Sequence, residues 1–129
     1  MGARFDLVTL DAVDSVALAA FWSAACGLAE VEREDDGRWI VLGEPTTGLR
    51  RLGVQRIVDL HRALANWSGP SKARMHLDLT CTVGEFDAEC VRLVSLGAVV
   101  ARSPRDESYG RIVTLADPEG NLFDLCAYG

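Results

Sequence analysis

Residues 5–58 and 74–127 carry the same order of secondary-structure signals, and a chain patterned this way is constrained to fold as two like modules. Phe5 to Asp11 alternates as a strand, and Asp14 to Cys26 then places Val16, Ala17, Ala20, Phe21 and Ala24 at helical spacing. Asp14 is the expected N-cap and Gly27 the expected stop. Strands are expected at Leu28–Glu34, Arg38–Gly43 and Leu49–Val58, with Asp35-Asp36-Gly37 turning the first into the second. The order β-α-β-β-β then restarts. Arg74 to Cys81 reads as a strand and about Glu85 to Leu96 as a helix ending at Gly97. Strands follow near Ala98–Arg102, Arg111–Ala116 and Leu122–Ala127. The spacing between the halves holds inside elements and changes in turns. Leu7 to His76 is 69 residues, Gly27 to Gly97 is 70, Arg38 to Arg111 is 73, and Gln55 to Asp124 is again 69. Residues 59–73, with His61, Trp67 and Ser68-Gly69-Pro70, are the expected linker.

A length of 129 residues suits one domain, here 1–129, made of both modules. Lys and Arg number 13 against 19 Asp and Glu, a net charge of −6, which argues against a general phosphate-backbone binder. No stretch approaches the ~20 apolar residues a spanning helix needs, and the start lacks a basic region followed by an apolar run. A cytoplasmic protein with no nucleic-acid or membrane partner is expected. Cys26, Cys81, Cys90 and Cys126 show no CxxC pair or zinc spacing and read as small buried hydrophobes. There is no GxSxG elbow, phosphate-cradling glycine loop or HExxH helix.

Five stretches, FDLVTLDAVDSVALAAFWSAACGL, LGVQRI, RMHLDL, VRLVSLGA and LADPEGNLFDL, occur in that order over residues 5–127. With them the chain resembles the glyoxalase, bleomycin-resistance and extradiol dioxygenase superfamily, also called vicinal oxygen chelate. The most specific pieces are the Phe21-Trp22 helix, the His76-Leu77-Asp78-Leu79 strand and the turn Asp117-Pro118-Glu119-Gly120-Asn121. The resemblance implies an α+β fold of two βαβββ modules in tandem. Their curved sheets are expected to enclose a cavity, with helices on the outer faces, in a homodimer.

Strand alternation says which side chains face that expected cavity, because residues i and i+2 share a face. His76, Asp78 and Thr80 oppose Met75, Leu77, Leu79 and Cys81; Leu7, Thr9 and Asp11 oppose Val8, Leu10 and Ala12; Leu122, Asp124 and Cys126 oppose Phe123, Leu125 and Ala127. The expected ligand-binding residues are therefore Thr9, Asp11, Gln55, His76, Asp78, Thr80 and Asp124, with Trp39 either lining or filling the space. Cys81 points away from His76, so a Cys-His nucleophile is set aside. In Ser103–Gly110, SPRDESYG reads as a polar loop, and Arg105 and Tyr109 on it are candidates for closing over a ligand.

In metal-dependent members, ligands come from the first and fourth strands of each module, which the resemblance carries onto Leu7, Gln55, His76 and Asp124. Imidazole and carboxylate suit Fe, Mn, Ni or Zn. His76 and Asp124 fit, Gln55 offers only an amide oxygen, and Leu7 cannot coordinate. Each residue also has a plainer reading. His76 can belong to a satisfied polar network, Asp124 can pair with an Arg or with His76, and Asp78 can orient the imidazole or hold a cross-strand network. Three functions stand at this point. The first is binding of a small organic molecule without a full metal site. The second is a metal-dependent lyase, isomerase or dioxygenase acting on vicinal oxygens. The third is metal-free acid/base catalysis by His76 with Asp78 or Asp124 on a carbonyl or epoxide substrate; His76 and Asp124 are the catalytic candidates.

Overall fold

A computed structural model describes residues 4–57 and 76–128, so the expected linker lies outside the described residues. The chain divides into two compact units, Met1–Ser68 and Gly69–Gly129. In the first, β1 (Val8–Ala12) and α1 (Ser15–Cys26) precede β2 (Ala29–Arg33), β3 (Trp39–Gly43) and β4 (Arg50–Arg56). In the second, β5 (Leu77–Thr80) and α2 (Phe86–Ser95) precede β6 (Val99–Glu107), β7 (Gly110–Ala116) and β8 (Leu122–Tyr128). Each unit is the expected βαβββ module with its own four-stranded mixed sheet, ordered β1-β4-β3-β2 and β5-β8-β7-β6. The first strand of each module runs parallel to the fourth, and the remaining pairs are antiparallel. The fold is α+β.

Local chemistry sets the helix ends. The Asp14 carboxylate accepts from the Ala17 amide at 3.1 Å, and Gly27 closes α1 at φ 65°, a left-handed conformation that glycine adopts without cost. The buried Ser15 hydroxyl donates to the Gly37 carbonyl at 2.6 Å, tying the start of α1 to the turn between β2 and β3. That turn is a short 3-10 segment with Asp36 at φ 59° and Gly37 at φ 78°. Leu18, Phe21 and Trp22 bury one face of α1, Phe21 and Trp22 meeting edge to face at 5.2 Å, with Ile40, Leu42 and Val54 in the core of the same unit. In the second unit Phe86 and Leu93 of α2 are buried, as are Val113 and Leu115 of β7 and Phe123 and Leu125 of β8. Each such side chain contributes about 1.5–3 kcal/mol when taken from water.

The second module corrects the sequence reading at one element. Ser103 to Glu107 is not loop. β6 continues through it to Glu107 and pairs with β7, leaving a tight turn at Ser108-Tyr109, where the Tyr109 ring lies 6.2 Å from Tyr128. Edge position explains the difference: β6 is the last strand of its sheet, where Pro104 need not donate to a second neighbour and charged residues are tolerated. The Asp117–Asn121 turn is held by a buried carboxylate. Asp117 accepts from the backbone amides of Glu119 and Asn121, both at 2.9 Å, and from the Asn121 side chain.

Candidate functional site

Parallel pairing of β5 with β8 sets Asp78 opposite Asp124, and His76, two residues before Asp78, shares its face. His76 Nε2 stands 3.2 Å from Asp78 Oδ1 and 3.5 Å from Asp124 Oδ2. One ligand atom from each of the three residues lies within 4.8 Å of the other two. His76 and Asp78 are open to solvent, each with about half its side chain exposed, at 52% and 55%, whereas Asp124 is exposed by only 16%.

Asp124 is held from its other side by residues that alternation alone did not single out. On β7, Thr114 lies opposite Asp124 and its hydroxyl donates to Asp124 Oδ1 at 2.6 Å. Arg105 of β6 donates from Nη2 to the Thr114 hydroxyl at 3.2 Å, while its buried Nε has no hydrogen-bond partner among the described residues. Glu107 stands 3.8 Å from that Nε. The result is a connected row, Arg105, Thr114, Asp124, His76 and Asp78, in which one oxygen of Asp124 is committed to Thr114 and the other faces His76. Three carboxylates, Asp78, Asp124 and Glu107, stand along this row with one guanidinium. The cluster therefore favours cations and hydrogen-bond donors.

The same register shows what the first module places at these positions. Taking Leu7 with His76, and Thr9 with Asp78, β1 pairing puts Gly53 opposite Thr9, just as Asp124 stands opposite Asp78. β3 pairing agrees, since Val41 faces Gly53 as Thr114 faces Asp124. The position corresponding to Asp124 is Gly53, two residues before Gln55, which instead lies opposite Asp11 and Trp39. The two 69-residue offsets are therefore not both met by the strand register: matching Gln55 with Asp124 sets Asp11 against Asp78 and Thr9 against His76 instead. Thr9, Asp11 and Gln55 are exposed on the first module, Trp39 is half-buried, and Thr80 is exposed on the second.

The donors of the second module fit a divalent metal. Cis ligands on bonds near 2.1 Å stand about 3 Å apart, close to the separations of His76 from the two carboxylates. The first module does not extend the set, because Leu7, Thr9 and Gly53 bring neither imidazole nor carboxylate. Burial pushes the Cys81, Cys90 and Cys126 thiols up, away from the reactive thiolate.

Residues 7–126 match the model of the glyoxalase-like domain. The chain belongs to the glyoxalase-like domain family. Solved structures agree on the fold of this glyoxalase-like chain. A glyoxalase/bleomycin resistance protein/dioxygenase family enzyme from Burkholderia phytofirmans PsJN is 24% identical, with 98% of this chain and 100% of that one covered and a TM-score of 0.76. A glyoxalase-related enzyme from Fulvimarina pelagi is 22% identical over 96% of this chain and 87% of that one, with a TM-score of 0.68. A variant of the fosfomycin resistance protein FosX from Listeria monocytogenes, solved with Mn(II) and 1S,2S-dihydroxypropylphosphonic acid, is 18% identical over 100% of this chain and 93% of that one, with a TM-score of 0.72. No curated protein sequence matches the glyoxalase-like chain.

Proposed function

We propose that this glyoxalase-like domain, 1–129, binds a small organic molecule through His76, Asp78 and Asp124, without the four-ligand metal centre of its metal-dependent relatives. The observation that supports this reading is the composition of the first module, where the residues that the register can set against His76, Asp78 and Asp124, either Leu7, Thr9 and Gly53 or Thr9, Asp11 and Gln55, include no imidazole. Carboxylates and an imidazole at the surface of the second module recognise an amine or hydroxyl donor. Thr80 beside them, and Thr9, Asp11, Trp39 and Gln55 on the first module, are the contact residues of this reading. A cytoplasmic homodimer completes it.

A second reading is supported by the donor spacing of the second module. His76 and Asp124, with Asp78, would hold Fe, Mn, Ni or Zn, which supplies Lewis-acid polarisation of a substrate oxygen when bound. The glyoxalase-like fold it shares with the Mn(II)-bound FosX structure is consistent with that reading. In this arrangement Thr114 would orient Asp124, and His76 would bind through Nε2.

Metal content separates the two. The purified untagged protein is measured by elemental mass spectrometry before and after dialysis against each of the four metals, together with His76→Ala and Asp124→Ala. The binding reading expects substoichiometric metal throughout, and a small-molecule screen that raises the melting temperature in the wild type but not in the two variants. Near-stoichiometric metal, reduced at least about tenfold in each variant, establishes the metal reading instead.

A further inference from the structure

The indole of Trp39 lies across the sheet of the first module. Its nitrogen donates to Glu32 Oε2 on β2 at 2.8 Å, and Glu32 is itself 3.4 Å from Arg50, which is paired with Asp6 at 3.0 Å. The opposite end of the ring reaches over β4. A Cβ built on Gly53 would sit 2.3 Å from Trp39 Cη2, 2.8 Å from Cζ3 and 3.1 Å from the Thr9 hydroxyl. With its nitrogen bonded to the Glu32 carboxylate on one side and its benzo carbons over Gly53 on the other, the ring lies along the sheet rather than standing up from it. Gly53 is what permits this, because any side chain there would occupy the space of the benzo ring.

Three properties bear on use. The ring is fixed at both ends, by a hydrogen bond and by a glycine cradle, so little freedom remains to be lost on binding. It is only half-buried, and exposed Thr9, Asp11 and Gln55 belong to the same region of the same sheet face. Its ring lies over Gly53, the residue that pairing Leu7 with His76 sets at the place of Asp124. An orphan indole kept half-open beside polar groups, where the other module keeps its anchoring carboxylate, is suited to stacking.

We propose that Trp39 is a stacking platform for a planar aromatic ring carrying an amine or hydroxyl group, with exposed Thr9, Asp11 and Gln55 of the same sheet as its polar partners. The inference rests on the binding reading for the existence of a ligand and on the Trp39–Gly53 geometry for its class. Aromatic stacking rather than hydrophobic contact alone is the distinguishing claim.

The test uses the full chain, 2-naphthol as the probe and decahydro-2-naphthol as its saturated counterpart, followed by proton–nitrogen NMR correlation spectra. The indole signal of Trp39 is assigned with Trp39→Phe. The expected result is that 2-naphthol moves the Trp39 indole and Gly53 amide signals, that the saturated alcohol at equal concentration does not, and that Trp39→Leu weakens binding about tenfold while Trp39→Phe retains most of it. Unchanged affinity in Trp39→Leu overturns the proposal. Movement confined to the Asp78 and Asp124 amides also overturns it, while leaving the binding reading intact; no movement at either module overturns both. Gly53→Ala adds a ligand-free check, since the added Cβ must displace the ring and shift its indole signal.

Discussion

Thr114 is the residue on which the polar cluster depends most, because it receives Arg105 and donates to Asp124 with one hydroxyl. Thr114→Val keeps the shape and removes both bonds. The loss of a partly buried hydrogen bond to a carboxylate is expected to cost about 1–2 kcal/mol in urea unfolding, and to weaken ligand binding in the thermal-shift assay, whereas Thr114→Ser restores both. Equal stability of the Val and Ser variants would remove the hydroxyl from the account. His76, Asp78 and Asp124 were legible in the sequence because alternation alone puts them on one face. Thr114 was not, since it sits between buried Val113 and Leu115 and acquires its role only through register with β8. Register also explains why the offsets of Leu7 to His76 and of Gln55 to Asp124 disagree by two residues. A slip of two residues leaves every side chain on its original face, so face patterning cannot detect it, although a slip of one would have been visible at once.

At the scale of elements, the Asp117–Asn121 turn is where sequence motif and physical role agree most closely. A buried carboxylate accepting two backbone amides and a side-chain amide fixes the path from β7 into β8, and so the level at which Asp124 meets Asp78 and Thr114. Asp117→Ala leaves those donors without their carboxylate in a part-buried turn and is expected to cost about 1–3 kcal/mol, read as a lowered urea midpoint with unchanged slope. A cost below about 0.5 kcal/mol, the range of ordinary surface substitutions, would show that the turn holds without it. Element order, both helices and their stops could be read from period, capping and glycine placement. The extension of β6 could not, because Pro104, Arg105 and Asp106 carry loop chemistry. What makes them a strand is the sheet edge on which they lie, a property of the tertiary arrangement rather than of the local sequence.

At the scale of the whole molecule, the two modules share an architecture and differ in chemistry. The second carries imidazole, carboxylates and a guanidinium where the first carries Leu7, Thr9 and a tryptophan laid over glycine. The tandem βαβββ order was fully legible because it depends on many residues at once, each contributing a little to a periodic pattern. The division of labour between the modules was only half legible, because Leu7 announces itself but Gly53 does so only once its neighbours are known.

That each sheet is assembled wholly from strands of one module also bears on how the molecule opens. Backbone protection is then a property of each half, and amides of β1–β4 and of β5–β8 are expected to fall into two separately opening foldons in native-state hydrogen exchange. Asp117→Ala should speed exchange in β7 and β8 while leaving β3 and β4 at their wild-type rates. Equal acceleration in both sheets would mean that the chain opens as a single cooperative unit. With two foldons, the half that presents the charged cluster can open while the half that carries Trp39 keeps its shape.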